Sequence, residues 1–169
     1  MTRILGIDPG SRITGFGVLD FDGLRPRYVT CGCIRVQGEP LSARLRTIFE
    51  GITEIVDQHR PEQLAIEQVF MHRNAASALK LGHARGVALV ASQLRSLTVH
   101  EYTPTQIKQS ITGRGRGTKE QVQHMVKVLL SLSAAPQQDA ADALAVALCH
   151  AHIQGTLANV EAAKQRALS

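Results

Sequence analysis

Near residue 40 the chain changes its hydrophobic period, and that change limits the possible folds more than any other feature. Before it come three segments rich in β-formers: RILGID (3–8), ITGFGVLDFDG (13–23) and PRYVTCGCIRVQ (26–37). Pro9-Gly10 separates the first pair, and Asp22-Gly23 is a hairpin signal before the third. Turns this short join strands that run in opposite directions, so the segments predict an antiparallel meander. After it, Leu41, Leu45, Ile48, Ile52 and Val56 recur at helical spacing, with Pro40 at the start and Pro61 just past the end. QLAIEQVF (63–70) is a fourth strand, and a strand that follows a crossover helix runs parallel to an earlier one.

The remaining chain alternates in the same way. A long helix is expected over 74–95, a fifth strand over 98–103 and a short helix over 104–112. TGRGRGT (112–118) reads as a flexible basic loop. Thr118 and Gln121 form a capping-box pair for a helix with Val122, Met125, Val126 and Leu129 on its apolar face. Pro136 opens an Ala-rich helix to about His152, and residues after about 153 read as frayed. The expected architecture is one α/β domain over 1–169, a five-stranded mixed sheet of three antiparallel strands and then parallel ones, flanked by helices.

Two acids stand where charge is costly. Asp8 closes the first strand in Leu-Gly-Ile-Asp-Pro-Gly, and Glu67 lies inside the fourth in Leu-Ala-Ile-Glu-Gln-Val. A buried carboxylate needs a partner or a metal. If strands one and four are neighbours, these two side chains lie together, and a divalent cation resolves their repulsion. Asp139 and Asp142, at i and i+3, share one face of the last helix, whose small alanines would let it approach the sheet closely. Four converging carboxylates form an all-oxygen site suited to Mg2+ or Mn2+. Such a site suits two-metal hydrolysis of a phosphodiester, with ions roughly 3.5–4 Å apart. Each acid also has a plainer reading. Asp8 suits a turn cap before Pro9-Gly10, and Asp139 and Asp142 suit the positive end of a helix dipole.

Charge and cysteine usage narrow the classes further. With 19 Lys and Arg against 14 Asp and Glu, the formal charge is +5, which fits a polyanionic partner. Cys31, Cys33 and Cys149 are too few and too irregular for a disulfide framework. Zinc ligation by Cys31-Gly-Cys33 or Cys149-His150-Ala151-His152 is conceivable, but neither has Cys-x2–4-Cys spacing, so inert, partly buried thiols are expected. No apolar run reaches the ~18 residues of a membrane span, and MTRILGIDPG lacks a signal peptide's features, which reads as cytoplasmic. Ala78, Gly82 and Gly86 form a small-residue stripe in the 74–95 helix. Glycine costs about 1 kcal/mol there relative to Ala, so the stripe marks close approach of either the sheet or a second subunit.

GIDPGSRITGFGV (6–18), AIEQVFMHRNAASALKLGHARG (65–86) and PQQDAADALAVA (136–147) resemble the RuvC family of Holliday junction resolvases, in matching order and spacing from Ile4 to about His152. The resemblance implies an RNase H-like fold, a homodimer, and paired nicks in strands of like polarity at a four-way DNA junction, in recombination and repair. It implies an acidic tetrad of Asp8, Glu67, Asp139 and Asp142, Mg2+ as the metal, and the branch-migration proteins RuvA and RuvB as partners. It places an aromatic junction contact on Phe70 and basic DNA contacts on Lys108 and Lys119. Phe70 before a polar loop suits base stacking, although a core role is the common fate of Phe. Lys108, Arg114, Arg116 and Lys119 surround the Gly-rich loop and suit phosphates. Arg73 and Asn74 are further junction-contact candidates. Rival readings are an RNase H-like nuclease acting on RNA or a hybrid, a non-catalytic junction-binding module, and an actin-like phosphotransferase. The last requires two domains and about twice this length.

Overall fold

The computed structural model describes residues 1–38, 40–68 and 75–168. Its elements are β1 (Thr2–Asp8), β2 (Ile13–Phe21), β3 (Pro26–Arg35), α1 (Leu41–His59), β4 (Gln63–Glu67), α2 (Ala75–Gln93), β5 (Thr98–Tyr102), α3 (Pro104–Thr112), α4 (Lys119–Leu129) and α5 (Gln138–Leu168). The strands form one sheet in the order β3-β2-β1-β4-β5. β1, β2 and β3 pair antiparallel, while β4 runs parallel to both β1 and β5. This is the expected mixed sheet.

Local signals explain the turns. Asp22 Oδ1 accepts the backbone N–H groups of Leu24 and Arg25 at 2.9 and 2.8 Å, and Gly23 takes the left-handed φ of 94° that the hairpin requires. α1 ends at Arg60 in the left-handed region, immediately before Pro61. Capping boxes open both α3, at Thr103 and Gln106, and α4, at Thr118 and Gln121.

Side-chain alternation splits the core into two layers. Leu5, Ile7, Val18, Leu64 and Ile66 pack beneath α1 and α2 with Ile48, Ile52, Ala84 and Ala88. Ile4, Leu19 and Ala65 face the other way, against Ile107, Ile111, Val122, Val126, Leu144 and Leu148 of α3, α4 and α5. Residue parity on the central strands therefore decides which helices a side chain meets.

Three boundaries differ from expectation. β4 is assigned only to Glu67, and Val69 and Phe70 lie outside the described residues. The basic loop after α3 is tied down: Thr112 Oγ1 lies 2.8 Å from Arg114 O, and Gly117 packs so closely that a Cβ would lie 2.7 Å from Thr112 Oγ1. The last helix does not stop near His152 but continues to Leu168. Beyond Gly155 the sequence holds no Pro and is rich in Ala, Leu, Gln, Lys and Glu, so propensity extends the helix although residues 156–166 are exposed.

Candidate active site

β1 and β4 pair in parallel with Ile7 beside Ile66, which puts Asp8 and Glu67 side by side at the carboxyl ends of the two central strands. Asp8 follows Ile4 and Gly6 on the α5 face, and Glu67 follows Ala65 on that same face. Ligand sites of open α/β sheets form in this position, outside the carboxyl ends of the strands. The turn behind Asp8 is pinned by fully buried Thr14, whose hydroxyl donates to Gly10 O at 2.9 Å.

A row of glycines brings α5 onto the two strands. A Cβ at Gly6 would lie 2.1 Å from Ala143 O, one at Gly15 would lie 2.0 Å from Asp139 O, and one at Gly17 would lie 2.6 Å from Leu144 Cδ2. Gly15 pairs directly with Asp8, and Gly17 with Gly6. Helix backbone thus rests on sheet backbone. The alanines of α5 contribute to this closeness together with the facing glycines, which sequence reasoning missed. Their signal was the alternation Gly15-Phe16-Gly17 in a strand, where glycine often marks close backbone approach.

The result is a cavity of about 240 Å³ lined by Asp8, Glu67 and Asp142, with Lys108 and Lys119 on its α3 and α4 walls. Gln138 Nε2 donates to Asp142 Oδ1 at 3.0 Å, and Lys119 Nζ lies 3.9 Å from Asp142 Oδ2. Burial, then the charges of Asp142, Glu67 and Asp139, push the Asp8 carboxyl up to about 8, against a small opposing pull from Lys119. Glu67 and Asp142 are also raised, burial first. Asp139 does not line the cavity. It lies in the first turn of α5 with its backbone oxygen over Gly15, and its charge acts on Asp8 and Asp142.

Among the described residues no three His, Cys, Asp or Glu side chains stand close enough to form a ready-made metal cage. Like-charged carboxylates held in one buried cavity repel, and a hard divalent cation is the species that draws such oxygens together. The donor set therefore fits a Mg2+-type ion and not a soft one. Among the described residues the cysteines and histidines do not group as a metal site. Cys149 is buried with its thiol pushed up to about 11, and all three cysteines are free. His150 is committed to Tyr102 Oη at 2.5 Å and Gln63 Oε1 at 2.8 Å, and His152 Nδ1 lies 3.0 Å from Ser110 Oγ.

Of the expected DNA contacts, Lys108 and Lys119 border the cavity, whereas Arg114 and Arg116 are exposed on the α3–α4 loop just beyond it. Phe70, Arg73 and Asn74 fall outside the described residues. Sequence reasoning did not find Gln138, which holds Asp142 one helical turn away; its signal was an i, i+4 amide–carboxylate pair.

The family model for crossover junction endodeoxyribonuclease RuvC matches residues 4–150. The chain belongs to the RuvC family. The RuvC of Hahella chejuensis is 56% identical over 160 residues, covering 95% of this chain and 93% of the relative. That of Tolumonas auensis is 60% identical over 157 residues, covering 93% and 91%. Among solved structures, Thermus thermophilus RuvC in complex with a Holliday junction substrate superposes with a TM-score of 0.86 at 35% identity, over 92% of this chain and 96% of that one. The yeast mitochondrial Holliday junction resolvase, 14% identical, shares the fold with a TM-score of 0.70. Membership of the RuvC family agrees with a metal-dependent nuclease built on an RNase H-like sheet.

The electrostatics make a stability prediction. Without a divalent ion, native Asp8 keeps its proton to about pH 8, whereas an unfolded aspartate loses it near pH ~3.9. Between these values the native state binds more protons, so stability falls as pH rises. Metal-free melting temperatures are expected to drop from pH 5 to pH 8, and Asp8→Asn should flatten the slope. Parallel pH profiles for the two proteins would refute this account.

Proposed function

We propose that this chain resolves four-way DNA junctions by symmetric, metal-dependent nicking of two strands of like polarity, in recombination and repair. The observation that carries this reading is the shared cavity of Asp8, Glu67 and Asp142 with Lys108 and Lys119 on its walls. Asp8, Glu67 and Asp142 in it, with Asp139 one helical turn from Asp142, would hold the metal. Two Mg2+ ions, replaceable by Mn2+, would supply an activated water and neutralise charge on the leaving 3′ oxygen. Lys108 and Lys119 offset phosphate charge at the cavity wall, and Lys119 and Gln138 orient Asp142. The exposed cations Arg114 and Arg116 hold flanking phosphates without reading sequence. Phe70, Arg73 and Asn74 are retained as junction contacts.

Two equivalent strands call for two equivalent sites, which a two-fold symmetric dimer supplies. The α2 stripe supports this arrangement. Among the described residues a Cβ at Gly82 or Gly86 would meet nothing within 4 Å, so packing against the described sheet does not explain either glycine. Leu79 and Val90 on the same face are 63% and 54% exposed. A second copy would cover this apolar strip, and Gly86→Leu is expected to shift the protein to monomer in light scattering. A folded Gly86→Leu dimer would rule out this face. Among the described residues no helix is long and apolar enough to cross a membrane. A single cytoplasmic domain working with RuvA and RuvB completes the proposal.

The test is cleavage of a mobile synthetic four-way junction beside an RNA–DNA hybrid, with Mg2+. Paired nicks in the junction support the proposal. Cutting confined to the hybrid transfers the site to RNA substrates, and junction binding without cutting in Mg2+ or Mn2+ leaves a binding module.

A further inference from the structure

At the same end of the sheet as the carboxylates, on the side of β2 and β3, lies a second polar cavity of about 570 Å³. Three arginines line it. Arg12 lies in the turn after Asp8, Arg35 closes β3, and Arg44 lies in the first turn of α1. Backbone bonds hold them in place: Val36 N donates to Arg12 O at 2.9 Å, and Arg44 N donates to Pro40 O at 3.1 Å. Arg35 Nη2 donates to Gln137 Oε1 at 2.7 Å, immediately before α5.

Arg12 and Arg35 are exposed and Arg44 is half-buried. Among the described residues, which leave out Glu39, no carboxylate lines the cavity and none of the three arginines forms an ion pair. Arg44 Nε is buried with no hydrogen-bond partner. A buried donor left unsatisfied beside two further guanidinium groups points to a missing anion. The planar fork of arginine matches phosphate oxygens, and Gly38 at the rim leaves open space around its backbone.

Position selects the phosphate. β3 stands two strands from β1, about 10 Å away at ordinary strand spacing. Lys108 and Lys119 lie on α3 and α4, in the helical layer on the other face of the sheet from α1. We propose that Arg12, Arg35 and Arg44 form a cradle for backbone phosphates of the cleaved DNA strand, on the β3 side of the carboxylates. The cradle rests on the junction-nuclease reading above. Together the two basic flanks fix the strand at two points and hold the scissile phosphate over Asp8 and Glu67. Orientation of this kind is worth much more than the binding energy of the individual contacts.

The test uses the whole chain, a synthetic four-way junction and no divalent ion, with affinity measured across salt concentrations. Arg12→Gln combined with Arg44→Gln leaves the Arg35–Gln137 bond in place. Two lost phosphate contacts should lower the slope of log affinity against log salt by about 2, and weaken binding about tenfold per contact near ~0.1 M salt. Arg12→Lys with Arg44→Lys keeps both charges and should recover the slope. If the double glutamine variant fails to fold, Arg12→Gln alone decides, with an expected slope change of about 1. Wild type that binds, and that cuts once Mg2+ is added, beside folded variants of unchanged slope, overturns the cradle alone. Wild type that neither binds a junction nor cuts it with Mg2+ added overturns the nuclease reading and the cradle with it.

Discussion

Glu67→Gln is expected to lower Mg2+-dependent nicking of a four-way junction by about a thousandfold or more, with junction binding retained. Glu67 sits beside Asp8 at the carboxyl end of β4 and lines the same cavity as Asp142. The amide keeps the shape of the side chain and removes the charge that holds a cation. Metal charge stabilisation contributes several kcal/mol to phosphoryl chemistry, and each ~1.4 kcal/mol lost is tenfold in rate. Binding should not suffer, because the substitution removes a negative charge near the phosphates. Single-turnover cleavage beside a gel-shift titration reads both quantities. Loss of binding in step with cleavage would mean that Glu67 acts through the fold. Near wild-type cleavage would remove it from the site.

Gly15→Ala should be nearly as damaging although it touches no reacting group. The added Cβ would lie 2.0 Å from Asp139 O and 2.4 Å from Asp139 C, both backbone atoms that no rotamer change can move aside. α5 must then lift from β2. Overpacking of this kind costs about 1–3 kcal/mol, and more where backbone must shift. For a chain of this size, each kcal/mol lowers the melting temperature by about 2–4 °C. The catalytic cost is larger, because α5 carries Asp139 and Asp142 while Asp8 and Glu67 stay on the sheet. A displacement of about 1 Å in such a constellation can cost about a hundredfold in rate. Melting curves and cleavage rates of the purified variant check both parts. A Gly15→Ala protein that melts and cuts like wild type would show that α5 does not depend on this contact.

Gly15 also shows why part of the site was hidden in the sequence. Asp8 and Glu67 were legible because each is a charge inside a short apolar strand, which is a local contradiction. Asp139 and Asp142 were legible as a same-face pair, but their division of labour was not. Asp142 lines the cavity, whereas the backbone oxygen of Asp139 lies over Gly15. Which of the two does so depends on where α5 crosses the sheet, and residues on other strands set that crossing. The dual reading of Gly82 and Gly86 stayed open for the same reason. Only the space around them distinguishes packing on the sheet from an exposed face.

The sequence by itself determined the order and type of the elements, the antiparallel-then-parallel plan of the sheet, the capping box at Thr118 and the two strand acids. These follow from period, propensity and short-range hydrogen bonding, which act over a few residues. Tertiary structure alone decided the glycine row under α5, the lysine-walled cavity, the Gln138 bond to Asp142, the grouping of Arg12, Arg35 and Arg44, and the empty space beside Gly86. Each depends on which residues from distant parts of the chain come within a few ångströms, and that is settled by packing of the whole core.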